Sequence, residues 1–375
     1  MDNNKKKRKK IRKGLRYDPC IIIPLLILIV VGVLMIYSAS SATAAAKRMD
    51  AMFFLKKQTV FALFGIAAFL ICSNIPYNFF KKTAYLGLFG SLLLLSLIHL
   101  GFGITEGGAT RWLKIGALHF QPSEAAKIGL IIYLAYSLSK KHENIKKLSI
   151  GFLPHILILA VFLALILKQP DLGSAVILAL IAGIMMFVAG VRILHLSSAL
   201  LLFVPIIFNL IFSASYRAER MLSYLDPWEY ATDEGYQAVH SLMAFGTGGI
   251  FGVGLGNGYQ KLFYLPESHT DFIFSVIGEE LGLLGVLFIL SLYIIIIFRG
   301  IIISKNAKDL FGTFLAAGIT ISFGLQVCIN IGVTMGLLPT KGLTLPLLSY
   351  GGTSLLANTA ALGILANIGR NEKPV

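Results

Sequence analysis

The sequence predicts an all-α integral membrane protein of about ten transmembrane helices, with a long outer loop between the seventh and the eighth. Three observations carry this expectation. Of the 375 residues, 56% are hydrophobic and only 14% charged, against roughly 25% charged in a soluble domain. Several apolar runs reach about 20 residues, enough to cross a hydrocarbon core about 30 Å thick. Nine Lys/Arg crowd the first sixteen residues, "MDNNKKKRKKIRKGLR", ahead of the first apolar run. A basic block in that place orients the first span and meets anionic lipid. The net charge of +15 is therefore read as membrane orientation, and nucleic acid is not an expected partner.

The elements follow in order. Residues 1–18 read as a basic cytoplasmic tail, 19–370 as one membrane domain and 371–375 as a second cytoplasmic tail. Spans are expected at 19–40, 58–75, 83–104, 121–139, 150–168, 172–190, 196–213, 270–299, 311–336 and 351–369. The apolar run from Ile21 to Tyr37 exceeds the about 7–15 residues of a signal-peptide core. The first helix is thus expected to remain uncleaved. With the N-terminus inside, the inner segments hold 21 of the 33 Lys/Arg. They include Lys81, Lys82, the run "KKHENIKK", Arg192, Arg299 and Arg370. That excess places both termini in the cytoplasm. Cys20, Cys72 and Cys328 sit in or beside apolar segments, with no CxxC spacing. They read as small hydrophobes rather than disulfide partners or ligands.

Residues 214–269 form the long outer segment. Loops beyond about 15 residues are usually functional or disordered. Its middle, "AVHSLMAFGTGGIFGVGLG", is apolar, with five glycines between Gly246 and Gly254. A re-entrant or interfacial element would fit, because irregular backbone is allowed at membrane depth where protein or a wet cavity satisfies it. An ordinary packed loop is the equal alternative.

Polar side chains gather on the outer face. In "TEGGATRWLKIGALHF" (105–120), Arg111 and Lys114 flank Trp112. "QPSEAAK" follows, with Pro122 and Glu124 at the start of the fourth span, where a proline and an acid suit a helix entry. "KQPDLGS" and "GLLPTKGLTLPLLSYGGTS" join other outer ends, and Arg217, Arg220, Lys261, Asp271 and Lys341 share that face. Basic side chains would hold a phosphate or pyrophosphate, and a carboxylate would act as base. The seven histidines are scattered and no metal-ligand spacing occurs. No cofactor is evident; a divalent cation is the one addition that anionic chemistry would accept.

Four acids occupy "LPESHTDFIFSVIGEELG" (265–282). Asp271 stands at the mouth of the eighth span, as a helix cap or as a base in a wet groove. Glu279 and Glu280 lie about 12–14 Å deeper, where an ionisable group is functional or ion-paired. A structural pair, with Lys127 or another buried cation, is the favoured reading for these two.

The blocks "YLPESHTDFIFSVIGEELG", "QPSE", "KQPDLGS", "SYLDPWE", "GLGNGYQK" and "LLPTKGLTLPLLSYGG" resemble, in order and spacing, the SEDS family (shape, elongation, division, sporulation). The resemblance runs from about residue 17 to 370 and is closer to the FtsW and SpoVE branch than to RodA. It implies a ten-helix protein of the bacterial cytoplasmic membrane that polymerises lipid II into glycan strands, for septal synthesis in division or sporulation. It implies Asp271 as the essential acid, with Arg111, Trp112 and Glu124 as further site residues. It also implies a class B penicillin-binding protein and other divisome proteins as partners. The chemistry agrees. A sugar hydroxyl attacks the anomeric carbon of the growing chain, and undecaprenyl pyrophosphate leaves. Cations stabilise that anion, here Arg111, Lys114 and Lys261, with Ser349 of the "LLSYGG" block beside them. One base then suffices, unlike the two carboxylates of glycoside hydrolysis.

Two alternatives stay open at this stage. A lipid II flippase would share the substrate and lack the chemistry. A scaffold recruiting a penicillin-binding protein would not need the Asp271 carboxylate.

Overall fold

A computed structural model describes residues 18–372 apart from 47, 107, 108, 117, 213, 214, 234 and 263. The basic tail 1–17 and residues 373–375 lie outside the described residues, so their expected placement is not addressed by it.

The chain is helical, as its apolar runs require: in lipid, only a helix or a closed barrel satisfies every backbone group. The helices are α1 (Pro19–Ala46), α2 (Phe53–Asn74), α3 (Tyr77–Lys82), α4 (Ala84–Leu97), α5 (Pro122–Lys140), α6 (Leu153–Leu167) and α7 (Leu172–Val188). They continue as α8 (Ile193–Phe212), α9 (Ser215–Leu225), α10 (Tyr236–Gly248), α11 (Ile273–Asn306), α12 (Leu310–Thr334) and α13 (Gly352–Arg370). Among the described residues, six helical stretches are long and apolar enough to cross a membrane: Pro19–Ala46, Phe53–Asn74, Ala84–Phe102, Leu148–Leu167, Ile273–Asn306 and Leu310–Thr334. The other expected spans fall on α5, α7, α8 and α13. Helix α13 packs along α2, α11 lies against α12 and α1, and α5 lies between α4 and α12. Arg299, toward the far end of α11, pairs with both Asp18 and Glu372. The two ends of the described chain therefore meet on the side of the membrane domain opposite the mouth of α11.

Two features differ from the expectation. The outer segment 105–120, expected as a loop, belongs to a three-stranded antiparallel sheet of β1 (Gly103–Glu106), β2 (Ala109–Ile115) and β3 (Leu118–Phe120), in that order. In β2 the side chains alternate: Ala109 and Leu113 are buried while Lys114 is exposed. That period of two is the strand signal.

The second is a break in α11. At about 1.5 Å per residue its 34 residues would overshoot the membrane. Gly282, at φ 65° and ψ −165°, divides it into a short outer leg, Ile273–Leu281, and a long inner one. The left-handed φ is open to glycine. A Cβ there would come within 2.3 Å of the Gly252 nitrogen. The backbone freed by the break is satisfied by the glycine-rich segment after α10. Val253 and Gly254 donate to the carbonyls of Glu279 and Glu280 at 3.0 Å each, and Leu283 and Leu284 donate to Gly249 and Ile250 at 2.9 and 3.2 Å. The glycine-rich middle of the outer segment, expected as a re-entrant element or equally as a packed loop, is a helix, α10, followed by irregular backbone that completes a broken helix.

Candidate active site

Asp271 sits two residues before the start of α11. The N-cap position of that helix is Phe272, and no side chain caps it. Asp171 and Asp309 behave differently: each accepts the nitrogen of its helix's N3 residue, Ser174 at 3.1 Å and Gly312 at 3.0 Å. The capping alternative for Asp271 therefore fails on geometry. The carboxylate faces Gly342, where a Cβ would lie 3.3 Å from its Oδ2. It is half-buried. Burial first, and then the charge of Glu267, push its pKa up to about 7, against the pull of Arg111 and Arg220. A carboxyl near 7 is a useful proton acceptor at neutral pH.

Arg111, on β2, reaches this site from the sheet. Its Nη2 donates to the carbonyl of Pro170 at 2.9 Å, and its buried Nε has no partner. The strand thus presents a guanidinium over the corner between α6 and α7. Trp112 pairs across the sheet with Ile104, and Lys114 with His119. Lys114 is exposed. Arg220, on α9, was placed on the outer face by the sequence but was not singled out as a site residue. It acts electrostatically on Asp271 and lines a cavity of about 420 Å³ with Thr232, Asp233, Tyr236, Gln237 and Pro266. Lys341 is half-buried, and burial lowers its pKa.

Three of the expected substrate contacts, Lys261, Glu124 and Ser349, have partners within the fold. Lys261 is 4% exposed, and its Nζ lies 2.5 Å from Glu280 Oε1. It also donates to Ser38 at 2.8 Å. An ammonium committed to a buried carboxylate is not free to hold pyrophosphate. Glu124 is also buried, and Lys127 donates to its Oε1 at 2.7 Å. Its Oε2 has no partner and borders a small cavity of about 20 Å³ with Ser322, Gln326 and Asn358. Lys127 therefore pairs one turn away on its own helix and not with Glu279 or Glu280. Ser349 is 4% exposed; its hydroxyl donates to the Thr270 carbonyl at 2.5 Å and accepts from the Leu345 nitrogen at 2.8 Å. Its one proton is held by backbone.

Glu279 and Glu280 are fully buried, and the contacts of both are internal to the fold. Glu279 accepts from the nitrogens of Tyr259 and Gln260 at 2.8 and 3.2 Å. Glu280 accepts from Gly256 at 3.1 Å and from Ser38 at 2.7 and 2.8 Å. Together they anchor residues 256–261 to the outer leg of α11, the leg that carries Asp271 at its mouth. Among the described residues, no three His, Cys, Asp or Glu side chains converge as metal ligands would.

Comparison with known proteins places this geometry in context. The model of the cell cycle protein family of FtsW, RodA and SpoVE matches residues 18–374. A probable peptidoglycan glycosyltransferase FtsW of Geobacter metallireducens is 46% identical over 359 residues, 96% of each chain. The stage V sporulation protein E of Bacillus subtilis is 42% identical over 357 residues, 95% of this chain and 98% of that one. Among solved structures, a chain from work on structural coordination of polymerization and crosslinking by a peptidoglycan synthase complex superposes with a TM-score of 0.77. It is 29% identical, with 94% of this chain and 98% of that one covered. The rod shape determining protein RodA of Thermus thermophilus superposes with a TM-score of 0.69 at 28% identity, covering 96% and 98%.

Proposed function

This chain belongs to the FtsW, RodA and SpoVE family of cell cycle proteins, and on that premise we propose that it is a peptidoglycan glycosyltransferase that polymerises lipid II at the outer membrane face. The observation that carries the mechanism is the uncapped, half-buried Asp271, whose pKa burial and Glu267 push up to about 7 against the charges of Arg111 and Arg220. In the reaction, Asp271 takes the proton from the GlcNAc 4-hydroxyl of one lipid II as that oxygen attacks the anomeric carbon of the growing chain. The bond from that carbon to pyrophosphate breaks with inversion. Undecaprenyl pyrophosphate leaves as an anion, stabilised by guanidinium groups already in place. Arg111, with a free buried Nε, and Arg220 suit that role; the exposed Lys114 widens the positive rim. A divalent cation would supply further positive charge to the two phosphates.

The test is polymerisation of lipid II by the purified full chain in liposomes. Polymer is the expected product. Transbilayer movement without polymer would favour the flippase reading. In the same assay, Arg111→Lys keeps the charge but loses the planar fork. Both Arg111→Lys and Arg111→Ala are expected to lower the rate by at least about tenfold, the scale of one charge-assisted hydrogen bond. Normal rates in both variants would remove Arg111 from the reaction.

We infer further that both termini face the cytoplasm, as the basic inner segments and the contact of Asp18 and Glu372 with one arginine support. A cysteine replacing Lys146 should resist an impermeant thiol reagent in intact cells. Ready labelling would invert the topology. The family's description as cell cycle proteins and the sporulation name of the Bacillus subtilis relative support a role in division or sporulation, and we propose that a class B penicillin-binding protein crosslinks the new strands.

A further inference from the structure

The mouth of α11 is held in an unusual way: three consecutive backbone carbonyls, those of His269, Thr270 and Asp271, each accept a hydrogen bond from outside their own segment. The Tyr350 nitrogen donates to His269 at 2.9 Å. The Ser349 hydroxyl donates to Thr270 at 2.5 Å. The Asn330 side chain, near the outer end of α12, donates from Nδ2 to Asp271 at 2.9 Å.

Asn330 does more than the other two. The same Nδ2 also donates to the Leu343 carbonyl at 2.6 Å. Both partners are carbonyl oxygens, so only the amide NH2 can face them, and the orientation of the group follows from the chemistry. One side chain thus joins Asp271, two residues before the start of α11, to the segment that holds Gly342, whose backbone the Asp271 carboxylate faces. Asn330 is 1% exposed, and its Oδ1 has no partner. An amide placed there for its own hydrogen bonding would have both ends paired. Here only the donor end is used, and it is used on the two backbone segments that enclose the carboxylate.

We propose that Asn330 is a positioning residue for glycan polymerisation: its amide locks the Asp271 backbone against the 341–350 segment and so fixes where the carboxylate sits. The inference rests on Asp271 being the base. With the clamp removed, Ser349 and Tyr350 still hold the two preceding residues. Asp271 itself loses its backbone tether, and a misplacement of about 1 Å at a reacting group costs about 10²-fold in rate. Lipid II binding, through groups on β2 and α9, is untouched.

The experiment compares wild type with Asn330→Ala, Asn330→Ser and Asp271→Asn as purified full chains, with lipid II polymerisation rates normalised to folded protein. Serine keeps a small polar group for folding but is too short to span two carbonyls. Both Asn330 variants are expected to show kcat lower by about 10²-fold, with KM for lipid II within about threefold. A wild-type kcat in either folded variant overturns the clamp, and so does a raised KM with kcat unchanged, which would make Asn330 a binding residue. If neither variant folds, Asn330 is a structural residue and the proposal also falls. Asp271→Asn separates the premise from the inference. Activity retained there removes the base itself, whereas an inactive Asp271→Asn beside fully active Asn330 variants removes only the clamp.

Discussion

Replacing Asp271 by Asn is expected to lower lipid II polymerisation by about 10²–10⁴-fold, the usual cost of losing a general base, while leaving the protein folded. The two effects separate cleanly at this position. Asn keeps the size and hydrogen-bonding shape of Asp and caps helices about equally well, so a structural role would tolerate the change. Asp271 caps nothing here, since the N-cap position is Phe272. The pH dependence gives an independent reading. Asp271 must be deprotonated to act, and burial and Glu267 raise its pKa to about 7. The wild-type rate should therefore climb as pH rises through about 7 and level off above it. Residual activity of Asp271→Asn should lack that limb. Folded Asp271→Asn with wild-type polymer yield would return the carboxylate to the background, and a wild-type profile flat through pH 7 would show that another group takes the proton.

How far the site could be read from sequence depends on the range of the interaction. Asp271 was legible because a carboxylate at the edge of an apolar run has to be explained. Arg111 was legible because it breaks the outer-face charge bias. The pairing of Lys127 with Glu124 was available from their spacing of three on one helix, yet the greater depth of Glu279 and Glu280 drew Lys127 toward them instead. The partner of Glu280 was not legible. Lys261 is nineteen positions away across an irregular segment, and no periodicity connects the two. The break at Gly282 was hidden for a related reason. Gly282 is one of four glycines in α11, and only the backbone of Ile250 and Gly252 folding onto it shows that this one turns left-handed. The sheet over residues 103–120 was missed because two of its strands, β1 and β3, have only four and three residues, too few to show a period by themselves. Arg220 approaches Asp271 only through the fold of α9. Local chemistry was thus readable, while the assignment of cations to carboxylates required the tertiary structure.

That assignment has its own test. Replacing Lys261 by Met should destabilise the protein by about 3–5 kcal/mol, the cost of leaving one partner of a buried ion pair uncompensated. The side chains of Lys261 and Glu280 are 5% and 0% exposed, so water cannot screen the carboxylate that remains. Ser38 and the Gly256 nitrogen would still donate to it. Two neutral donors contribute about 0.5–1.5 kcal/mol each, up to about 3 to a charged group, and do not replace an ammonium at 2.5 Å. The uncompensated charge outweighs the lost hydrogen bonds, and the double variant Lys261→Met with Glu280→Gln isolates it. Glutamine removes the charge but keeps an oxygen for Ser38 and Gly256, so the double variant should recover most of the loss. Reversible unfolding in a denaturing detergent measures both variants on one scale. A single variant within about 1 kcal/mol of wild type, well below the buried-pair cost, would mean that the pair is not desolvated. A double variant as unstable as the single would mean that the cost comes from packing of the lysine stem. The consequence reaches the site through geometry. Glu280 and Glu279 tie residues 256–261 to the short outer leg of α11. That leg is already cut from the long inner helix at Gly282. Without the ion pair, the leg would keep the backbone bonds from Val253 and Gly254 and the Glu279 contacts but lose its charged tie to Lys261, and Asp271 would stand on a less firmly held helix of about two turns. Polymerisation by Lys261→Met should accordingly fall even at temperatures where the protein stays folded, and the double variant should restore rate and stability together.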